Sequence, residues 1–148
     1  MRLSLLLTAS GTLGVALAAP SAERIAQLLS NTSAVPNLFS PNITWTIFGG
    51  PFSGTHNYTS LMNVLSTVHD AIDGTYKVEI VSVISEGAAG TRSSVESKAA
   101  EGTVGKNGIP YTQQIAWISE WEGETIVSNR EHLDSALTER FFGSNQNQ

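Results

Sequence analysis

A chain of 148 residues, 41% hydrophobic and 14% charged, has the size and composition of one globular domain. With 8 Lys and Arg against 13 Asp and Glu, it carries a net charge of −5, which argues against binding nucleic acid through the phosphate backbone. It contains no cysteine, which excludes a disulfide scaffold, a cysteine-ligated zinc site and a thiol nucleophile.

The chain opens as a secretory signal peptide. Arg2 precedes an apolar stretch through Leu3, Leu5, Leu6, Leu7 and Leu13 to Ala19, and Ala16-Leu17-Ala18 supplies a small-x-small cleavage site. Ser4, Thr8, Ser10, Gly11 and Thr12 interrupt the run, which makes it too short for a membrane anchor. Cleavage after Ala18 would take the leader (1–18) from the 148 residues and leave 130, a single domain at 19–148. Its charge would be −6, because Arg2 leaves with the leader. The expected product is secreted and extracellular, with no membrane contact after cleavage. The sequons at Asn31, Asn42 and Asn57 are glycosylation candidates on that route and would place their segments at the surface.

The elements follow in order. Ser21 caps a short helix with Glu23 in its first turn and Ile25, Leu28 and Leu29 on one face. Residues 30–41 are rich in Ser, Asn, Thr and Pro and read as loop. Residues 43–48 favour a strand, ended by Gly49-Gly50-Pro51. Leu61, Met62, Val64, Leu65, Val68, Ala71 and Ile72 have helical spacing over 59–72, and Asp73-Gly74 stops the helix. The apolar run at 76–84 predicts a central strand. Residues 90–100 alternate as a second strand, and Asn107-Gly108 marks a turn. Over 111–121, Tyr111, Gln113, Ile115, Trp117, Ser119 and Trp121 share one face. Glu122-Gly123 turns the chain into a strand at 125–133, and a short helix at 135–142 precedes a frayed tail at 143–148.

This order predicts an α+β fold: a curved, mainly antiparallel sheet with helices across its concave face, enclosing a conical cavity of the kind that takes small molecules.

Strand alternation puts Ile126, Ser128, Arg130 and His132 on the side of Asp134, where an Asp–His pair could transfer protons. Asn129 and Glu131 then fall on the opposite face, at a dimer contact; a bulge would exchange the two sets. Asp134 also suits the N-cap of the helix that starts at Ser135. Trp45, Trp117 and Trp121 with Tyr76 and Tyr111 are candidates for an aromatic pocket, although such residues more often pack a core. Glu79, Arg92 and Glu96 read as solvated or cross-strand charges, and His56 as a surface residue. His69 and Asp73 stand at metal-binding spacing with no third ligand evident, so no metal site is expected. No GxSxG, P-loop or dinucleotide fingerprint is present, and no cofactor is expected.

The second half of the chain resembles the SnoaL-like branch of the NTF2-like superfamily. Asn107-Gly108-Ile109-Pro110-Tyr111 is similar to the family's "NGxPY" lead into its penultimate strand. Trp117-Ile118-Ser119 with Glu122-Gly123-Glu124-Thr125-Ile126 is similar to its "dGkI" hairpin, and Arg130-Glu131-His132-Leu133-Asp134 to its "REYLD" ending. Residues 39–45 and Gly54 resemble its N-terminal pattern, whereas the first helix looks short for the family. The resemblance implies an NTF2-like cone, often a homodimer through the outer sheet face. It implies activities such as polyketide cyclisation, steroid isomerisation, dehydration and epoxide hydrolysis. It also implies that Asp134 acts as general acid or base in a cavity, where burial raises a carboxyl pKa.

The combined expectation is a secreted protein with a pocket for a small hydrophobic molecule, of cofactor-free cyclase or isomerase type. Asp134 and His132 are the expected catalytic residues, and Trp45, Tyr111, Trp117 and Arg130 the expected ligand contacts. The alternative is a non-catalytic ligand-binding or dimeric interaction module.

Overall fold

A computed structural model describes residues 17–143. The expected leader (1–18), apart from its last two residues, and the expected frayed tail beyond Gly143 lie outside these residues. Among the described residues, no helix is long and apolar enough to cross a membrane.

Helix α1 (Ala22–Ser30) starts where Ser21 accepts a hydrogen bond from the Arg24 amide, and it buries Ile25 and Leu29. Strand β1 (Phe39–Phe48) begins earlier than composition suggests, because Phe39 and Ile43 are both buried. Strand β2 (Gly54–His56) forms a short antiparallel edge on β1. Three residues give too little pattern to be read from sequence. Helix α2 (Tyr58–Ala71) is capped by Asn57, which accepts from the Ser60 amide.

The remaining strands, β3 (Val78–Ser85), β4 (Arg92–Ala99), β5 (Gln114–Glu122) and β6 (Thr125–Leu133), form an antiparallel meander, and α3 (Ser135–Gly143) closes the chain. Strand β1 pairs with β6 in parallel, so the six strands run β2-β1-β6-β5-β4-β3 in a mixed, unclosed sheet. The expected α+β architecture, mainly antiparallel with one parallel pair, is present.

One expectation fails. The apolar run of β3 predicts a central strand, yet β3 is an edge. Val78 and Ile80 face inward, whereas Val81 and Ile84 are 58% and 72% exposed. An apolar run shows that a strand has two apolar faces, not that both are covered.

Two apolar clusters hold the layers together. Ile25, Leu29, Trp45, Trp121 and Ile126 pack α1 onto the sheet. Ile72, Tyr111, Phe141 and Phe142 pack α3 against the other end. Fully burying one such side chain contributes roughly 1.5–3 kcal/mol. Outside, Glu79–Lys98 and Arg92–Glu120 are cross-strand ion pairs at 3.0 and 3.2 Å, as the strand charges suggest.

After β1 the chain reverses beneath α3. Gly49 has φ +98°, and a Cβ there would lie 2.8 Å from Ser135 Cβ, whereas Gly74 has φ +84° with open space around it. Gly49→Ala is therefore expected to cost about 2–4 kcal/mol, combining backbone strain with overpacking, and Gly74→Ala about 1 kcal/mol. Urea denaturation of the two variants measures this; equal losses would mean that the Ser135 contact contributes nothing.

Candidate functional site

The concave face, α1, α2, α3 and the loop after α1 enclose a cavity of about 480 Å³. Its wall is largely aliphatic and aromatic. Met62, Leu65 and Val68 of α2 line it, facing Ile80, Val95 and Ile115 of the sheet. The apolar stripe of α2 thus faces a space, and Leu61 alone on this helix is fully buried.

Four ionisable side chains line the cavity: Glu131, Tyr76, Tyr111 and His69. His69 stands at the rim with its side chain 68% exposed. Glu131 sits inside, registered between Trp117 of β5 and Ile47 of β1. The Trp45 indole N–H donates to Glu131 Oε2 at 2.8 Å. The Trp117 indole N–H is close enough to favour the carboxylate but outside hydrogen-bonding geometry, leaving a buried donor without a full partner. Trp45 meets Trp117 edge to face at 5.0 Å and Phe39 at 5.0 Å, so its orientation is set by packing.

Burial pushes the Glu131 carboxyl up to about 7, against the pull of the two indole donors. Burial, with a further contribution from Glu131, pushes the Tyr76 and Tyr111 phenols up as well, so both stay neutral donors at physiological pH. The two rings meet at 5.8 Å.

The expected catalytic pair lies elsewhere. Between β5 and β6 the register runs Glu120 to Ser128 and then Trp121 to Ile126, leaving Val127 as an inserted residue. Before this bulge Ile126 points inward; after it Asn129, Glu131 and Leu133 do. Arg130 and His132 are therefore on the outer face and exposed. His132 stacks on Phe48 at 4.7 Å, with the Arg130 guanidinium 5.8 Å from the same ring. Asp134 is exposed and caps α3, accepting from the Leu137 amide at 3.0 Å. This N-cap role is the reading the sequence left open beside catalysis.

Of the expected ligand contacts, Tyr111 and Trp117 line the cavity. Trp45 is 1% exposed and stands behind Glu131, and Arg130 faces away. Sequence alternation missed Glu131, although one signal was present. Ile126 and Leu133 are both apolar, yet seven residues apart they cannot share a face of a regular strand. One inserted residue reconciles them.

His56 is half-buried rather than a free surface residue. Its Nε2 donates to the Phe52 carbonyl and its Nδ1 meets Ser60 Oγ, both at 2.8 Å, which ties β2 to α2. Asn31, Asn42 and Asn57 are all exposed. Among the described residues, no group of three or more metal-ligating side chains comes together.

No protein-family model matches the chain, and no curated protein matches it in sequence. Solved structures do. An NTF2-like protein from Burkholderia pseudomallei superposes with a TM-score of 0.58 at 20% identity, over 74% of this chain and 82% of its own. The chain has the NTF2-like fold. A protein of ketosteroid isomerase-like fold from Catenulispora acidiphila, solved in complex with trimethylamine, has a TM-score of 0.58 at 18% identity, over 82% of this chain and 89% of its own. A candidate isomerase from Rhodopseudomonas palustris has a TM-score of 0.58 at 18% identity, over 76% and 84%. The NTF2-like resemblance in the sequence thus agrees with the fold of these neighbours.

Glu131 makes stability depend on pH. Its folded pKa, about 7, lies above its ordinary value, so the folded state favours the protonated form. The contribution is fully present below the unfolded pKa and is lost as pH rises through about 7, on the order of 3 kcal/mol in all. Relative to wild type, Glu131→Gln should gain stability between about pH 5 and pH 8 by that order. Urea melts at both values test it; parallel pH profiles would show that Glu131 ionises freely in the fold.

Proposed function

We propose that this chain binds a small hydrophobic molecule in the NTF2-like cavity and exchanges a proton with it through Glu131, in cofactor-free isomerase or cyclase-type chemistry. The observation that carries this reading is the one carboxyl among the described residues lining a mostly apolar cavity. Its pKa near 7 lets the group give and take a proton at neutral pH. Trp45 is a positioning residue: its N–H holds Oε2. The Tyr76 and Tyr111 hydroxyls are the neutral donors nearest in character to what a developing negative charge on the ligand requires. Glu131 takes the role that the sequence resemblance assigned to Asp134.

A non-catalytic binding protein is the second reading. It is favoured by the small ionisable inventory: among the described residues lining the cavity, one carboxyl, two high-pKa phenols and an exposed rim histidine.

The leader at 1–18 and the exposed sequon asparagines support a secreted, glycosylated product. Phe48, Ile118 and Ile84, exposed on the outer sheet face, support a homodimer through that face.

Native mass spectrometry of the protein from a eukaryotic secretory host should show a chain beginning at Ala19, added glycan mass and a dimer; an intact leader or an unmodified monomer would remove the corresponding element. The same spectra should show a retained hydrophobic ligand. In D2O, Glu131→Gln should slow deuterium uptake into that ligand by at least about 10²-fold while still retaining it. Unchanged uptake would exclude Glu131 as the proton-transfer group, and uptake absent from the wild type would favour the binding-only reading.

A further inference from the structure

We propose that the molecule taken by this cavity is a hydrophobic amine, its ammonium group seated against the Glu131 carboxylate and the rings of Tyr76, Tyr111 and Trp117. The inference rests on the reading of this cavity as the ligand site and narrows it by charge.

Glu131 has neutral partners. Its hydrogen bond comes from the Trp45 indole, and the Trp117 indole is the other polar group that acts on it. Among the described residues lining the cavity there is no Lys and no Arg, and the nearest basic neighbour in sequence, Arg130, points to the outer face. A buried carboxylate without a cation is costly, and the missing charge is one a ligand can bring. A carboxylate or phosphate ligand would instead add a second anion beside the first and find no basic side chain inside to receive it.

The rings supply the second part of the recognition. Tyr76, Tyr111 and Trp117 line the same cavity as Glu131, and both tyrosines are close enough to feel its charge. Aromatic faces attract an alkylated ammonium through their quadrupoles while contacting its methyl or methylene groups, which a hydroxyl or carboxylate ligand cannot use in the same way. The remaining wall is mostly apolar, with a few Ser and Thr hydroxyls. A cavity of about 480 Å³ is far larger than an ammonium head, so the rest of the ligand is hydrocarbon packed on Met62, Leu65 and Val68.

The groups that titrate around this site are Glu131 on β6, Tyr76 between α2 and β3, Tyr111 ahead of β5, and His69 on the rim of α2. The tyrosines stay neutral across the useful range. Binding of a fixed cation should therefore strengthen as pH rises and Glu131 ionises. His69 could add repulsion when protonated, and His69→Gln separates its share.

Three probes of similar shape decide the matter: benzyltrimethylammonium, its neutral carbon isostere neopentylbenzene, and 4-phenylbutanoate. Binding is read by tryptophan fluorescence and calorimetry on the full mature protein. At about pH 8 the ammonium should bind at least about tenfold tighter than the neutral isostere, and the carboxylate weakest. The preference should shrink toward about pH 5 in wild type and in His69→Gln alike. Glu131→Gln should abolish the preference while keeping the affinity for neopentylbenzene, which shows that the variant still has its cavity. Neopentylbenzene binding as well as or better than the ammonium overturns the amine inference and leaves the hydrophobic cavity standing. A preference that survives in Glu131→Gln also overturns it. Failure of all three probes to bind overturns both this inference and the reading of the cavity as a ligand site.

Discussion

Along the hairpin formed by β5 and β6, β5 advances one residue from Glu120 to Trp121 where β6 covers two, from Ser128 to Ile126. Everything at the site depends on that inserted Val127. A strand presents alternate residues to alternate faces, so one extra residue exchanges the faces of everything beyond it. Upstream, Ile126 enters the core under α1. Downstream, Leu133 and Glu131 enter the cavity and Arg130 and His132 leave it. Both ends of β6 can thus bury an apolar side chain at an odd separation. A carboxyl is carried inside as a consequence, between two apolar positions that the fold requires.

A carboxyl so placed needs support, and the surrounding aromatic packing supplies it. Phe39, Trp45 and Trp117 form a chain of tilted and edge-to-face rings whose geometry sets the Trp45 indole. Its N–H then reaches Glu131 at 2.8 Å. Hydrogen bonding to the charged form opposes desolvation without cancelling it, which leaves the group near 7 instead of fully neutral. The cavity itself exists because α2 lays its apolar stripe across a curved sheet without filling the space beneath. Met62, Leu65 and Val68 are apolar for the same reason as core residues, yet they line a void. The composition of a helix stripe does not distinguish packing against side chains from facing a pocket.

The outer face has a different character. Phe48, His132 and Arg130 stack there, with Ile118 and Ile84 exposed and ion pairs between neighbouring strands. His132 and Asp134, close in sequence, have separate structural tasks: one stacks on the sheet surface and the other caps α3. Proximity along a strand end conveyed a catalytic pair that geometry does not form.

What the sequence determined by itself is what local physics controls. The cap at Ser21 begins its helix, the turns at Gly49-Gly50 and Glu122-Gly123 end their strands, and the alternation from Tyr111 to Trp121 faces inward as its pattern requires. Those elements, in that order, were enough for the α+β class and for the resemblance that the solved structures share. What only the tertiary structure decided is non-local. Whether β3 lies at the centre or the edge depends on which strand it meets, since its own apolar run fits either. Which face of β6 enters the cone depends on a bulge visible only where two strands are laid in register. The affinity of Glu131 for its proton depends on a desolvated cavity and on an indole 86 positions earlier in the chain. Short-range propensity is written residue by residue, whereas strand order, facing and electrostatic environment arise from contacts between distant segments.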